Sequence, residues 1–319
     1  MLSAPNALIS GPLRDPVAAL IEAGGDGVLA VIIGVEGPSY RPLGAVMALD
    51  AAGGRTGSLS SGCVESDIAL HATEALEAGA PRIIRYGRGS PFMDIQLPCG
   101  GGLEIALIPR PDAGVLQALT DARAARRAVT LEIDLDTGTL ALAATGETGR
   151  DGARFRVRFL PEIRFLVFGK GPEASTFTAL VQAAGYPVVM LSPDDETLAA
   201  AQEIGAETRH LPSARFPADL EVDDRSAVVL FFHDHDWEPP ILLGAAATPA
   251  FYIGAQGSAR ARDLRMMELQ ALGMTTEDRA RLHGPIGLVP SARDARTLAV
   301  SVLAEVLAES AAPARTGAA

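Results

Sequence analysis

An apolar strand that runs directly into a glycine-rich turn is the feature that most restricts how this chain can fold. Residues 163–168 are predicted to form the strand, and Gly169-x-Gly171-x-x-Ala174 follows at once, before a helix that extends to residue 184. This order of strand, turn and helix matches the dinucleotide-binding fingerprint. Further strands are predicted at residues 186–191, 228–232 and 250–253. Strands that alternate with helices indicate a parallel, doubly wound sheet.

Two positions bear on whether this fingerprint binds NAD(P). The second strand ends at Ser192, where a ribose-binding carboxylate is expected, although two aspartates lie just beyond it. Glu173 lies in the first turn of the helix and would repel a phosphate if its side chain pointed inward. Gly169 and Gly171 are therefore candidate cofactor-binding residues, and the alternative is that they only let the backbone turn.

The first part of the chain has a different pattern, which predicts an α+β domain. A continuous β-branched run at 28–35 indicates a buried strand, and apolar residues recur at helical spacing over 64–77. Further strands are predicted at residues 46–49, 56–59, 82–86 and 103–108. The predicted fold class is α/β, with an N-terminal α+β domain followed by a C-terminal Rossmann-like doubly wound parallel sheet. The predicted boundaries are 1–112 for the first domain, 113–160 for a connecting region, 161–310 for the Rossmann-like domain and 311–319 for a flexible tail.

Composition argues against several classes of function. A formal net charge of −12 disfavours nucleic-acid binding, which needs a dense basic surface. The longest apolar run, at 28–35, is too short to span a bilayer, and residues 1–16 lack the pattern of a secretory signal. The 2 cysteines are too few for a disulfide framework and form no C-x-x-C pair. We expect a cytoplasmic protein with free thiols that binds neither nucleic acid nor membrane.

Both cysteines lie in glycine-rich loops. Cys63 follows Gly62 where a loop is predicted to enter a helix, and a helix N-terminus favours the thiolate form of cysteine. Cys99 precedes Gly100 and Gly101, which let a ligand approach the backbone closely. Because thiolates suit sulfur-philic metals, both cysteines are candidate metal contacts. The alternative for each is a buried, unreactive thiol.

Two histidines follow the predicted strand at 228–232. His233 and His235 share a face if this segment is extended, at the end of a parallel strand where ligands bind. They could bind a metal, donate to an anion or transfer a proton. The alternative is that both satisfy loop carbonyls.

Four more polar residues are candidate anion-binding groups. Ser39 and Arg41 lie in a polar loop, where Arg41 could pair with a phosphate or carboxylate or form a surface ion pair. Ser258 and Arg260 open the helix that follows the last predicted strand. Arginine at a helix start is unfavourable for the helix dipole, which favours a functional reason over a solvated helix face.

Short motifs occur in a fixed order along the chain. The first domain contains Ser39-x-Arg41-Pro42-x-Gly44-Ala45, Gly57-Ser58-x-Ser60-x-Gly62-Cys63-Val64-Glu65 and Cys99-Gly100-Gly101. The second contains His233-Asp234-His235, Tyr252-Ile253-Gly254-x-x-Gly257-Ser258 and His283-x-Pro285-Ile286-Gly287-Leu288. The ordered set resembles the xanthine dehydrogenase accessory proteins of the XdhC/CoxF family over residues 28–307.

The resemblance implies an accessory chaperone rather than a turnover enzyme, so no catalytic residue is assigned. Such a protein binds the molybdenum cofactor (molybdopterin) and holds it while a cysteine desulfurase helps install the terminal sulfur. It then passes the cofactor to apo xanthine dehydrogenase or a related molybdenum hydroxylase. The resemblance implies Cys63 and Cys99 as contacts to the molybdenum or its sulfur. A homodimer is expected because dimers are the commonest soluble oligomers.

Two alternatives stay open. An NAD(P)-dependent oxidoreductase would use His233 or His235 as acid or base beside the nicotinamide, and Ser192 at the ribose position speaks against it. A degenerate Rossmann domain used only for dimerisation would explain the second half of the chain alone.

Overall fold

The chain folds into two compact units in the computed structural model. Unit 1 comprises Met1–Pro161 and unit 2 comprises Glu162–Ala319. The residues that the structure describes are 14–60, 62, 64–90, 100–234 and 236–311. Three predicted site residues, Cys63, Cys99 and His235, therefore lie outside the described residues.

A five-stranded antiparallel sheet forms the centre of unit 1. Its strands, in the order β3-β2-β1-β5-β4, are β1 (Gly27–Glu36), β2 (Val46–Asp50), β3 (Arg55–Thr56), β4 (Arg82–Gly87) and β5 (Gly102–Pro109). Helices α1 (Pro16–Glu22) and α2 (Glu65–Ala78) accompany it. The first seven residues of β1 are buried, because side chains on both of its faces join hydrophobic clusters. This explains why β1 reads as a continuous apolar run instead of an alternating one.

The remainder of unit 1 also has regular structure. It contains helix α3 (Ala113–Ala124) and strands β6 (Val129–Asp134), β7 (Leu140–Ala143), β8 (Gly149–Asp151) and β9 (Arg154–Phe159). The strands form an antiparallel sheet in the order β7-β6-β9-β8. Leu131 and Phe155 from this sheet share a hydrophobic cluster with Leu29 and Val31 of β1. The stretch 113–160 thus contributes to the core of unit 1.

Unit 2 has the doubly wound architecture that its sequence predicts. Its six parallel strands, in the order β12-β11-β10-β13-β14-β15, are β10 (Arg164–Gly169), β11 (Val188–Ser192), β12 (Glu207–His210), β13 (Ser226–Phe231), β14 (Tyr252–Ala255) and β15 (Leu282–His283). Its helices are α4 (Pro172–Ala183), α5 (Asp195–Glu203), α6 (Glu238–Ala246), α7 (Ala259–Ala271), α8 (Thr276–Ala280) and α9 (Ala295–Ala311). The strand order reverses between β10 and β13, which is where ligands bind in such sheets. The predicted fold class is confirmed.

One predicted strand is shorter than its pattern indicates. The second arm of the predicted hairpin, 56–59, is reduced to Arg55–Thr56. Leu59 donates its backbone N–H to the carboxylate of Glu65 instead of to a strand partner. A side-chain acceptor therefore overrides strand propensity here.

The described helices include none that is long and apolar enough to cross a membrane.

Candidate functional site

Loops that carry predicted site residues meet at one end of the five-stranded sheet in unit 1. Ser39 Oγ donates to the carbonyl of Arg41 at 2.8 Å, and Arg41 Nε donates to the carbonyl of Ser58 at 3.3 Å. A Cβ atom on Gly101 would lie 2.2 Å from the carbonyl oxygen of Pro38. Only glycine permits this approach. Ser39, Arg41 and Gly101 are thus brought together; Gly101 is buried, and Gly100 just before it is exposed.

A buried carboxylate that the sequence analysis did not assign organises the loop before α2. Glu65 is 6% exposed and is the first residue of that helix. Its oxygens accept bonds from both the hydroxyl and the N–H groups of the loop; the donors are Ser58 Oγ, Leu59 N, Ser60 N, Ser60 Oγ, Gly62 N and Val64 N. The acceptor distances lie between 2.6 and 3.2 Å. Glu65 therefore fixes the described residues on both sides of position 63.

The charge state of Glu65 follows from the same contacts. Burial raises the pKa of this carboxyl, but hydrogen bonds from Ser58 and Ser60 outweigh burial and lower the pKa from 4.5 to about 2. Glu65 is therefore an anion at neutral pH, and it already occupies the start of α2. In the sequence, the feature that points to Glu65 is a carboxylate just after a Ser- and Gly-rich loop.

We expect unit 1 to lose stability in acid through Glu65. Because the folded pKa lies below the ordinary value of 4.5, the contribution of Glu65 is complete above about pH 4.5 and is lost as the pH falls towards 2. The expected loss is about 3 kcal/mol. Urea unfolding followed by hydrogen exchange of unit 1 peptides at pH 6, 4 and 2.5 measures it. The Glu65→Gln variant should show a correspondingly flatter pH dependence; an identical dependence in the two proteins would contradict the prediction.

On its other side, α2 is tied to β4 by a polar network. The hydroxyl of Tyr86 donates to Asp67 Oδ2 at 2.6 Å, and His71 Nε2 lies 3.4 Å from the same oxygen. His71 Nδ1 lies 2.9 Å from Glu74 Oε2, which also pairs with Arg82. Burial and the contact with Asp67 raise the pKa of the Tyr86 hydroxyl, so it stays a donor. This network holds α2, and with it the loop before α2, against the sheet.

A second candidate site is a cleft of about 440 Å³ in unit 2, at the carboxyl ends of the parallel strands. Charged, polar and apolar side chains line it, including Glu173, Phe232, His233, Ser258, Ile286 and Arg293. Of the residues that the sequence nominated, His233 and Ser258 are among its lining residues, whereas Gly169, Gly171 and Arg260 are not. The volume is typical of a small-molecule site.

The glycine-rich turn beside this cleft is already engaged by the protein. Gly171 adopts φ +85°, which favours glycine, and its N–H donates to Thr197 Oγ1 at 2.9 Å. Thr197 Oγ1 in turn donates to Asp194 Oδ2 at 2.5 Å, and Asp194 caps helix α5. Hydrogen bonds from Thr197 lower the pKa of the Asp194 carboxyl, so this cap is an anion. The Gly171 amide that would meet a pyrophosphate thus has a protein acceptor.

The charged groups at the cleft differ from those of the dinucleotide fingerprint. The position expected to carry a ribose-binding carboxylate is Ser192, which is fully buried. Its Oγ accepts a hydrogen bond from the N–H of Asp194, so the hydroxyl is already engaged by the protein. Glu173, in the first turn of α4, points into the cleft, where its Oε2 lies 3.3 Å from His233 Nε2. The carboxylate of Glu173 would repel a phosphate at the start of this helix.

The cation that lines the cleft is one that the sequence analysis missed. Arg260 lies on the exposed surface of α7, whose N-terminus is capped by Ser258 Oγ accepting from Ala261 at 3.1 Å. Arg293 instead lines the cleft, and within the described part of the chain it forms no hydrogen bond or ion pair. In the sequence, the only feature that points to Arg293 is its position in the loop after the Pro285-Ile286-Gly287-Leu288 motif.

A buried ion pair supports one wall of the cleft. Arg265 is 4% exposed and its Nε donates to Oε2 of the fully buried Glu238 at 2.9 Å. Arg265 Nη2 donates to the carbonyl of Gln256 at 2.7 Å, and Gln256 lines the cleft beside Gly257. The pair therefore fixes the backbone that forms one wall.

The motif that begins at His283 is anchored in a similar way. Tyr252 donates its hydroxyl to Glu305 Oε1 at 2.8 Å and stacks on the ring of His283, with 4.3 Å between ring centroids. Gly287 donates its N–H to the same carboxylate. Burial raises the pKa of Glu305, but the bonds from His283, Tyr252 and Gly287 outweigh burial and lower it. His283 is thus a structural residue that positions the loop.

Among the residues described by the structure, no group of three or more His, Cys, Asp or Glu side chains is arranged to hold a metal ion.

Comparison with known proteins relates both units to one family. Residues 165–306 match the XdhC Rossmann domain, and residues 20–87 match the XdhC and CoxI family. The chain is 36% identical to the molybdenum cofactor insertion chaperone PaoD of Escherichia coli (strain K12), over 92% of this chain and 86% of that protein. It is 25% identical to a probable xanthine dehydrogenase subunit of Bacillus subtilis (strain 168), over 93% of this chain and 97% of that protein.

A solved structure has the same fold. The crystal structure of a xanthine dehydrogenase from Bacillus halodurans superposes with a TM-score of 0.75 at 21% identity, covering 95% of this chain and 98% of that chain. The resemblance seen in the order of the sequence motifs is therefore confirmed. The chain belongs to the XdhC and CoxI family.

Proposed function

We propose that this protein is a chaperone that binds the molybdenum cofactor and delivers it to an apo molybdenum hydroxylase such as xanthine dehydrogenase. The observation that carries the proposal is the 36% identity to a molybdenum cofactor insertion chaperone over 86% of its length. A match of that extent covers both units, so the proposal concerns the whole chain and not one shared domain.

The loop cluster of unit 1 has chemistry that suits this cargo. Molybdopterin carries a phosphate, and the guanidinium of Arg41 is exposed with only its Nε donating to a described residue, the carbonyl of Ser58. A guanidinium is well suited to paired hydrogen bonds with phosphate oxygens. Gly100 is exposed and adds backbone that a ligand can approach closely. Arg41 is thus the proposed phosphate contact.

The cysteines are proposed to meet the sulfur-rich end of the cargo. Cys63 and Cys99 adjoin, in sequence, the described residues Gly62 and Gly100 of these loops. Thiolates bind sulfur-philic metals, so we propose both as contacts to molybdenum or its terminal sulfur. We further propose that the chaperone holds the cofactor for sulfuration by a cysteine desulfurase, acts in the cytoplasm and forms a homodimer.

Cofactor transfer with single cysteine variants tests this function. Wild-type protein is mixed with released molybdenum cofactor, re-isolated, and assayed for oxidised pterin fluorescence and for reconstitution of an apo-hydroxylase. We expect wild-type protein to retain and transfer the cofactor, and Cys63→Ala or Cys99→Ala to lose about tenfold or more of both signals, because a metal–thiolate contact is removed.

Two controls make the outcome specific. Arg41→Gln should weaken retention, whereas Arg127→Gln, an exposed arginine of the same unit, should not. Hydrogen exchange of unit 1 peptides shows whether each variant is folded. If folded wild-type protein retains no cofactor, the chaperone proposal is wrong.

The oxidoreductase alternative has less support from the geometry. The Gly171 amide already donates to Thr197, and Glu173 places a carboxylate where a pyrophosphate would lie. Titration with NAD+ and NADP+ tests it directly, and tight binding with turnover would favour the oxidoreductase.

A further inference from the structure

The cleft of unit 2 combines an acceptor and a cation in a way that selects a class of ligand. Glu173 Oε1 has no hydrogen-bond partner among the described residues, and its Oε2 has only His233 Nε2, at 3.3 Å. An ionised carboxylate is a pure acceptor with two oxygens in one plane. It therefore matches a ligand edge that presents two adjacent N–H donors.

An anionic group on the same ligand would have its own partner. Arg293 lines the cleft without a protein partner among the described residues. Guanidinium groups bind phosphate oxygens with paired hydrogen bonds. Because Arg293 lies in the loop before α9 and Glu173 lies in α4, the two charges are presented by different segments.

The apolar part of the lining accommodates a ring, and Gln256, Ser291 and Asp294 are further polar residues of the cleft. Phe232, Ile286 and Leu298 line the cleft together with the polar groups. Such a mixture of apolar walls and a few placed polar groups is typical of sites for small heterocycles. The ligand should thus be planar, with a donor edge and an anionic substituent.

We propose that the cleft binds a phosphorylated 2-amino-4-oxopyrimidine, the ring edge that guanine and pterins share. Its ring N–H and its exocyclic amine donate to the two oxygens of Glu173, and its phosphate pairs with Arg293. The pterin source rests on the proposed function and makes this cleft a pterin site separate from the Arg41 loop cluster of unit 1, whereas the guanine source does not rest on that function.

Binding of defined mononucleotides tests the donor edge. In calorimetric titrations, GMP should bind at least about tenfold more tightly than AMP, which lacks this edge, with IMP between them because it lacks only the amine. Neopterin monophosphate is titrated beside GMP. Tighter binding of the neopterin compound identifies a pterin site, and tighter binding of GMP identifies a guanine nucleotide site.

Charge-neutral variants separate the two contacts. Glu173→Gln should weaken the binding of GMP about tenfold and make the affinities for GMP and AMP nearly equal. The control is Glu196→Gln, in the first turn of α5 and outside the cleft, which should change neither affinity. Arg293→Gln should weaken the binding of GMP about tenfold but leave the affinity for guanosine, which lacks the phosphate, unchanged. Arg296→Gln, outside the cleft, is its control. Fluorescence of Trp237, in unit 2, reports the fold of each variant.

Equal affinity for GMP and AMP, or unchanged discrimination in Glu173→Gln, would overturn the inference, as would NAD+ binding more tightly than every mononucleotide. These results are independent of cofactor transfer. Discrimination for GMP without cofactor retention removes the proposed function alone. Retention without any discrimination removes only the inference about the cleft.

Discussion

Replacing Glu65 by alanine is expected to lower the free energy of unfolding of unit 1 by about 3 kcal/mol or more. The carboxylate collects backbone and hydroxyl donors from the loop that precedes α2, and its removal leaves the N–H groups of Ser60 and Val64 without this acceptor in a buried setting. Urea unfolding followed by hydrogen exchange of unit 1 peptides measures the loss.

The matched control is Glu77→Ala, an exposed glutamate on the same helix. It should change the free energy of unfolding by less than about 0.5 kcal/mol. A Glu65→Asp variant keeps the charge on a shorter side chain, and it should fall between the wild type and the alanine variant. If Glu65→Ala and Glu77→Ala proved equally stable, the anchoring role of Glu65 would be wrong.

Replacing Arg265 by methionine should destabilise unit 2 by about 3–5 kcal/mol. The substitution keeps most of the side-chain volume but leaves the fully buried carboxylate of Glu238 without its cation. Trp237 reports this loss, because it is the single tryptophan of the chain and stacks on Phe232 with 5.6 Å between ring centroids. Guanidinium chloride unfolding followed by tryptophan fluorescence is the measurement.

A second substitution distinguishes lost charge pairing from lost packing. Because an apolar pair of similar volume can replace a buried ion pair, adding Glu238→Leu to Arg265→Met should recover most of the stability. Arg262→Met, on the exposed face of the same helix, should have little effect. A double variant as unstable as the single one would show that packing and hydrogen bonding to Gln256 dominate instead.

Local pattern was sufficient for most of the architecture. The apolar run at 28–35 forms β1, and the strand with its glycine-rich turn forms β10 followed by α4. Both could be predicted because burial on both faces requires consecutive apolar residues, and a tight turn requires glycine at fixed positions. Strands β7, β8, β12 and β15 were not predicted. They have two to four residues each, so they carry too little periodicity to recognise.

Motif order and hydrophobic periodicity were enough to predict the fold class, the family and the loops that contain the candidate residues, because both are properties of the amino-acid order. Which side chains meet depended on how the elements pack. The tertiary structure gave Glu65 its role, since the donors converge on that carboxylate only when the loop is folded. It also placed Arg293, rather than Arg260, at the cleft. Contacts between residues far apart in sequence depend on how the elements pack, and no local pattern encodes that packing.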